Sequence, residues 1–159
     1  MTISRWAQGR ETIDQLLAQR RLQRVPPNRD HADWLINTAR RHLVSAATTV
    51  DDDPEGCAAL LYDGARKALA AVLANQGLRA TSDGGHLAVY ESVTAQLDPP
   101  LGKILRPFDR LRRQRNQVEY PSLGKPAPEL DPLDLSQDIA IAREIVDTCA
   151  RVLDQMPVY

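Results

Sequence analysis

The sequence predicts an all-α domain: an up-down helical bundle with a four-helix core and additional N-terminal and C-terminal helices. Three observations lead there. The composition is rich in alanine, leucine, arginine and glutamine, all good helix formers. Apolar residues recur at helical spacing in segment after segment, and none alternates with period two over a strand's length. Prolines fall between these segments or in their first turns, and turn-forming stretches such as DDDPEG and TSDGG separate them. At 159 residues the chain fits one domain with a sizeable core. Residues 1–27 read as an N-terminal helical extension and 28–159 as the core bundle.

The first helix is expected from about Ser4 to Arg24, with Trp6, Ile13, Leu16 and Leu17 on one side and Pro26-Pro27 ending it. The second spans about Asp30 to Val50 and carries Leu35, Ala39, Leu43, Ala46 and Val50 at helical spacing. After the break DDDPEG comes the clearest helix, about Pro54 to Gln76. Its stripe is Ala58, Leu61, Tyr62, Ala65, Leu69, Val72 and Leu73, and Gly77 caps it. The loop TSDGG then caps a fourth helix bearing His86, Tyr90, Val93 and Leu97, which Asp98-Pro99-Pro100 stops. Pro107 suits the first turn of a fifth helix, so 101–105 is a preceding turn or kinked extension. Pro121 turns the chain out of that helix near Glu119. A proline-rich loop, 121–134, leads to a last helix from about Leu135 to Gln155 with Ile139, Ala142, Val146, Cys149 and Leu153 inward. A structureless connection of that length is uncommon and often functional.

Composition narrows the function classes. The formal charge of −1 shows no global basic excess, and 4% aromatics argue against a base-stacking platform. Cys57 and Cys149 lack the spacing of a zinc site or redox pair and read as buried, inert thiols. The histidines have no ligand spacing to one another or to carboxylates, so no metal and no cofactor is expected. There is no phosphate-binding glycine loop and no nucleophile elbow. The start, MTISRWAQGRETIDQ, lacks a signal peptide's apolar run, and no stretch reaches membrane-spanning length; a cytoplasmic protein with no membrane partner is the expectation.

One segment departs from a plain bundle. Between 101 and 118 there are six basic residues, Lys103, Arg106, Arg110, Arg112, Arg113 and Arg115, against a single acid, Asp109. From Pro107 onward Phe108, Leu111 and Val118 share a face, and Arg115 lies among them, where a core residue belongs. Arg110, Arg113 and Gln117 point the other way. A guanidinium on an apolar stripe needs a carboxylate, a cavity open to water or a partner surface. Asn116, Glu119 and Tyr120 cluster with it at the helix end, either as a polar pocket or as a structural end in which Glu119 pairs with an arginine and Tyr120 plugs the bundle. Arg110, Arg112 and Arg113 form a solvated basic face or a stripe that attracts phosphate. His31, at a helix start, and His42 read as surface residues; His86 reads as capping or half-buried.

Three blocks in order, LYDGARKALAAVLANQGLRAT (61–81), GGH (84–86) and FDRLRRQRNQVEYP (108–121), resemble the HEPN superfamily of helical-bundle domains. They are most similar to its actinobacterial-type subfamily, in which RN is followed by EYP, and the resemblance spans roughly residues 30–155. The superfamily signature is an arginine, usually followed by a polar residue, then a histidine a few positions later. The resemblance implies a homodimer that places two such motifs face to face across a cleft, and, in many members, metal-free cleavage of RNA. Members commonly act as toxins or in phage defence, and many are encoded beside a small nucleotidyltransferase that restrains them. Carried onto this chain, Arg115 would hold the scissile phosphate and Asn116 would orient it. Glu119 and Tyr120 would complete the pocket, Arg110, Arg112 and Arg113 would draw in nucleic acid, and His86 would be an accessory imidazole.

The chain departs from the pattern at the histidine, where it has Tyr120. A phenol with a pKa near 10 is a poor base at neutral pH, although it can donate a proton or bind a phosphate. Glu119 would serve as base if dimer packing raised its pKa. Three readings stay open: an RNA-acting toxin-like domain, a non-catalytic module that binds a nucleotide, nucleic acid or protein, and a plain dimeric bundle in which Arg115 pairs structurally with a carboxylate.

Overall fold

The computed structural model describes residues 6–122 and 124–159. Its order is α1 (Arg10–Ala18), β1 (Leu22–Arg24), α2 (Arg29–Thr49), α3 (Pro54–Gln76), β2 (Leu78–Ala80), α4 (Gly85–Leu97), the single turn α5 (Gly102–Leu105), α6 (Pro107–Glu119) and α7 (Pro132–Val152). The all-α bundle expected from the sequence is what forms, with one small two-stranded ribbon added.

α3 is the central element and packs against α2, α4, α6 and α7. More than one of its faces is buried: Ala58, Leu61, Ala65, Leu69 and Val72 are joined inside by Cys57, Ala68, Ala71 and Leu73. Small residues let its neighbours approach closely. At Gly64 a methyl group would stand 3.1 Å from the Ala39 carbonyl oxygen and 3.2 Å from Leu43, so a larger side chain would push α2 away. The helix begins with Asp53, whose carboxylate accepts the Gly56 amide at 3.0 Å, and with Pro54 in its first turn. It ends at Gly77, which has a left-handed φ of 83°.

The N-terminal segment differs from its expected form. Ser4 lies outside the described residues, and the helix that follows is short, Arg10–Ala18. Arg20 takes a left-handed φ of 59°. The amide of Arg21 bonds to the Leu16 carbonyl at 2.9 Å and that of Arg20 to Leu17 at 3.1 Å, the paired closure that ends a helix. Leu22–Arg24, expected as helix, is instead a strand antiparallel to Leu78–Ala80, with Gln23 opposite Arg79. Three residues are too few to display a period of two. Ile13 and Leu16 are buried in the common core, so the segment is part of the bundle's packing.

The other boundaries lie close to expectation. α4 stops at Leu97, before the two prolines, and Thr81 caps its entrance by accepting the Gly84 amide at 3.2 Å. α6 starts at Pro107 after the separate turn α5 and leaves helical geometry at Tyr120. α7 starts at Pro132, three residues before the expected Leu135, because Asp131 caps it by accepting the Leu133 amide at 2.9 Å. Cys57 and Cys149 are free and buried, and burial pushes their thiols up to about 11 and about 12. Among the described residues no helix is long and apolar enough to cross a membrane.

Candidate functional site

The arginines of α6 divide by partner. Arg110 donates to the carboxylate of Asp138 on α7 at 2.7 Å, a buried acid at 4% exposure, and this hydrogen bond holds the guanidinium above its ordinary pKa. Arg112 and Arg113 share Asp109, at 2.8 and 3.2 Å. Arg115 alone among them has no carboxylate at ion-pair distance among the described residues. It is half-buried, with its guanidinium carbon 5.8 Å from the centre of the Tyr62 ring and Nη1 donating weakly to Asn116 at 3.4 Å. Cation–π contact of this kind is worth about 0.5–2 kcal/mol and leaves the guanidinium's hydrogen-bond donors free.

Tyr62 ties three elements together. It projects from α3, is 1% exposed, and packs on Phe108 of α6 with ring centres 5.4 Å apart. Phe108 in turn stacks on Tyr90 of α4 at 5.4 Å. The Tyr62 hydroxyl meets Nδ1 of His86, the second residue of α4, at 2.6 Å. Burial pushes the phenol up to about 12, so it stays protonated. His86 is pushed down, by its own burial first and then by Arg66 and Arg115, so its ring is neutral at pH 7. Two tautomers satisfy the contact: the phenol donates to Nδ1, or Nδ1–H donates to the phenol oxygen. The second leaves Nε2 as a proton acceptor, and the residue as a whole is exposed where capping or half-burial was expected.

A charged network borders this pair. Asp63, next to Tyr62, accepts from Arg66 at 2.5 Å and from Lys67, and His42 Nε2 approaches it at 3.4 Å. Burial alone would raise the Asp63 carboxyl; the bonds from Lys67 and Arg66 outweigh it and hold the group below its usual range. His42 is half-buried and not fully on the surface as expected; burial, then Lys67, lowers its pKa. Counting Asp109, the cations Arg66, Lys67, Arg112 and Arg115 face two carboxylates, a local positive excess on a chain whose net charge is −1.

The residues singled out in the sequence are thus partly assembled. Arg115, Asn116 and Arg112 stand on the Tyr62–His86 side. Arg110 and Arg113 line a different hollow of about 360 Å³, between α6 and the loop at 128–131. Glu119 is exposed, and Tyr120, at 71% exposure, does not plug the bundle and makes no side-chain hydrogen bond with Arg115. Tyr62, Asp63, Arg66 and Lys67 were not legible as site residues, since Tyr62 belongs to an apolar stripe. The spacing of Asp63 to Arg66 and Lys67, three and four residues on, is the signal that marks an ion network on one helix face. Among the described residues no cluster of His, Cys, Asp and Glu could hold a metal ion. Comparison with protein-family models, with curated proteins and with solved structures returns no match.

Proposed function

We propose that the chain is a HEPN-like, RNA-acting domain in which Arg115 binds a backbone phosphate. One observation supports this above all: Arg115 is half-buried on the Tyr62 ring and, among the described residues, meets no carboxylate. A guanidinium kept partly out of water without an anion is complete only when one arrives, and its planar donors suit two phosphate oxygens at once. The surrounding cationic excess attracts a polyanion. The reaction open to such a site is attack of a ribose 2′-hydroxyl on the adjacent phosphodiester. The neutral imidazole of His86 takes the hydroxyl proton, the 2′-oxygen bonds to phosphorus, and the 5′-oxygen leaves and takes a proton from water. Arg115 stabilises the charge on the phosphoryl oxygens. In this reading the domain works as a homodimer, and the exposed Glu119 and Tyr120 reach the cleft of a second copy. A toxin or defence role, with a nucleotidyltransferase antitoxin as partner, follows from the resemblance, and the genes adjacent to this one test it.

A second reading, a non-catalytic module using the same face, is favoured by one observation. The residue at the usual histidine position, Tyr120, is largely in solvent. Purified protein, incubated with mixed cellular RNA in chelator and titrated against labelled single-stranded RNA, separates the two. Cleavage and binding that are both lost in Arg115→Ala, with circular dichroism unchanged, support the enzyme; binding without cleavage selects the module. RNA affinity equal in wild type and Arg115→Ala removes both.

A further inference from the structure

A groove of about 590 Å³ opens where β2, α3 and the first turn of α4 meet, within the span of about 300–1,000 Å³ typical of clefts that hold drug-sized ligands. Its trough is made by α3. Arg66, Ala70 and Ala74 follow one another at intervals of four residues and so share a face, and the two alanines leave open the space that leucines would fill. The buried side chains of Leu73 and Leu78 give the trough an apolar floor. The rim is basic. Arg66 and Arg79 border it with His31 and His86, and none of the lining residues is an aspartate or glutamate, although the chain holds 21 acids against 20 lysines and arginines. Arg79, the exposed middle residue of β2, donates to the Gln23 side-chain oxygen across the ribbon and has no carboxylate at ion-pair distance among the described residues. Ser82, Gly85 and His86 bring the start of α4 to the same rim, with the positive end of its dipole.

We propose that this groove binds a small organic anion: an apolar body on the Ala70–Leu73–Ala74–Leu78 floor and a carboxylate or phosphate head on Arg79, with Arg66, held by Asp63, at the rim. The groove shares Arg66 and His86 with the Arg115 side, but its floor and Arg79 lie outside that cluster, so Arg79→Ala tests this site without touching the RNA reading. An exposed guanidinium beside an apolar trough orients such a ligand, and a lining without aspartate or glutamate disfavours cations.

The test is a fluorescence titration of the whole chain with anilinonaphthalenesulfonate, an apolar body with one anionic head, and with uncharged phenylnaphthylamine of the same shape. The sulfonate is expected to bind at one saturable site, about tenfold more tightly than the uncharged dye. Arg79→Ala should weaken it about tenfold, the loss of one charged hydrogen bond, and Ala70→Leu should abolish it by filling the trough. Displacement by decanoate or by phenyl phosphate identifies the head group the site takes. Unchanged dye binding in Arg79→Ala, whose position on the ribbon leaves the fold intact by circular dichroism, overturns the proposal even if Ala70→Leu unfolds. So does failure of both competitors to displace the dye.

Discussion

The hydroxyl of Tyr62 stands 2.6 Å from Nδ1 of His86, joining a fully buried phenol on α3 to an exposed imidazole on α4. The contact fixes the orientation of the ring, while burial and nearby arginines keep it neutral. The ring is thereby held on the side of the fold where it feels the charge of Arg115.

A pH dependence of stability follows, with a definite sign. His86 and His42 both have pKa values below the ordinary 6.5 in the folded chain. Above that value both states hold neutral rings, and the shift costs nothing. As the pH falls below it the unfolded chain takes up protons first, so stability drops until the folded pKa values are passed. Urea midpoints compared at about pH 7.5 and 5.5 should fall for the wild type and fall less for His86→Gln. An identical fall in both would show that His86 is not held neutral.

Arg110 and Arg115 lie on one helix and should respond unequally to removal. Arg110→Ala strands the buried carboxylate of Asp138, leaving it only a 3.4 Å contact from Gln114, and should destabilise the fold by about 1–3 kcal/mol. Arg115→Ala strands no acid among the described residues and loses its contact with Tyr62 and a long hydrogen bond to Asn116, about 1 kcal/mol or less. Thermal melts of the two variants check the contrast. A loss of about 3–5 kcal/mol at Arg115 would mean that a structural ion pair holds it after all.

What could be read from the sequence follows the reach of local rules. α4 and α6 begin and end where prolines and caps stand, because those residues act on their own backbone. The ribbon was hidden: Leu22 pairs with Ala80, 58 residues further along the chain, and no local pattern signals a pairing that distant. The end of α1 is not legible locally because Arg20 sets it, a residue type that rarely adopts a left-handed conformation. At the site, Arg115 was legible as a charge on an apolar face. The Tyr62–His86 contact was not, since it links two helices whose relative rotation no local pattern fixes.

Gln76 and Gln96 supply a prediction about the core. Both are essentially without exposure, and their amides bond reciprocally at 2.7 and 3.0 Å, joining α3 to α4. Replacing either with methionine strands the partner's amide and should cost about 1–3 kcal/mol. Replacing both removes the orphaned groups, so the double variant should be more stable than the two losses added together. The coupling from denaturant melts should be about 0.5–3 kcal/mol, and strict additivity would mean that the amides do not depend on each other.

Tyr120 allows the sharpest separation of the functional readings. It is mostly in solvent, so Tyr120→Phe and Tyr120→His should leave the melting temperature within about 0.5 kcal/mol equivalent of wild type. Any change in RNA cleavage would therefore report chemistry and not folding. If the phenol reaches the cleft of a second copy, the particle in light scattering has twice the 17.7 kDa chain mass and Tyr120→Phe cuts RNA far more slowly. Tyr120→His should then maintain or raise cleavage near neutral pH, since imidazole both accepts and donates protons there. If His86 alone carries the proton, wild type and Tyr120→Phe cut equally while His86→Gln loses activity. The measurement is cleavage of mixed cellular RNA in chelator by these four proteins side by side. A clean monomer that cuts nothing in any form, yet still loses RNA affinity in Arg115→Ala, leaves Arg115 as the anchor of a binding module and ends the enzyme reading.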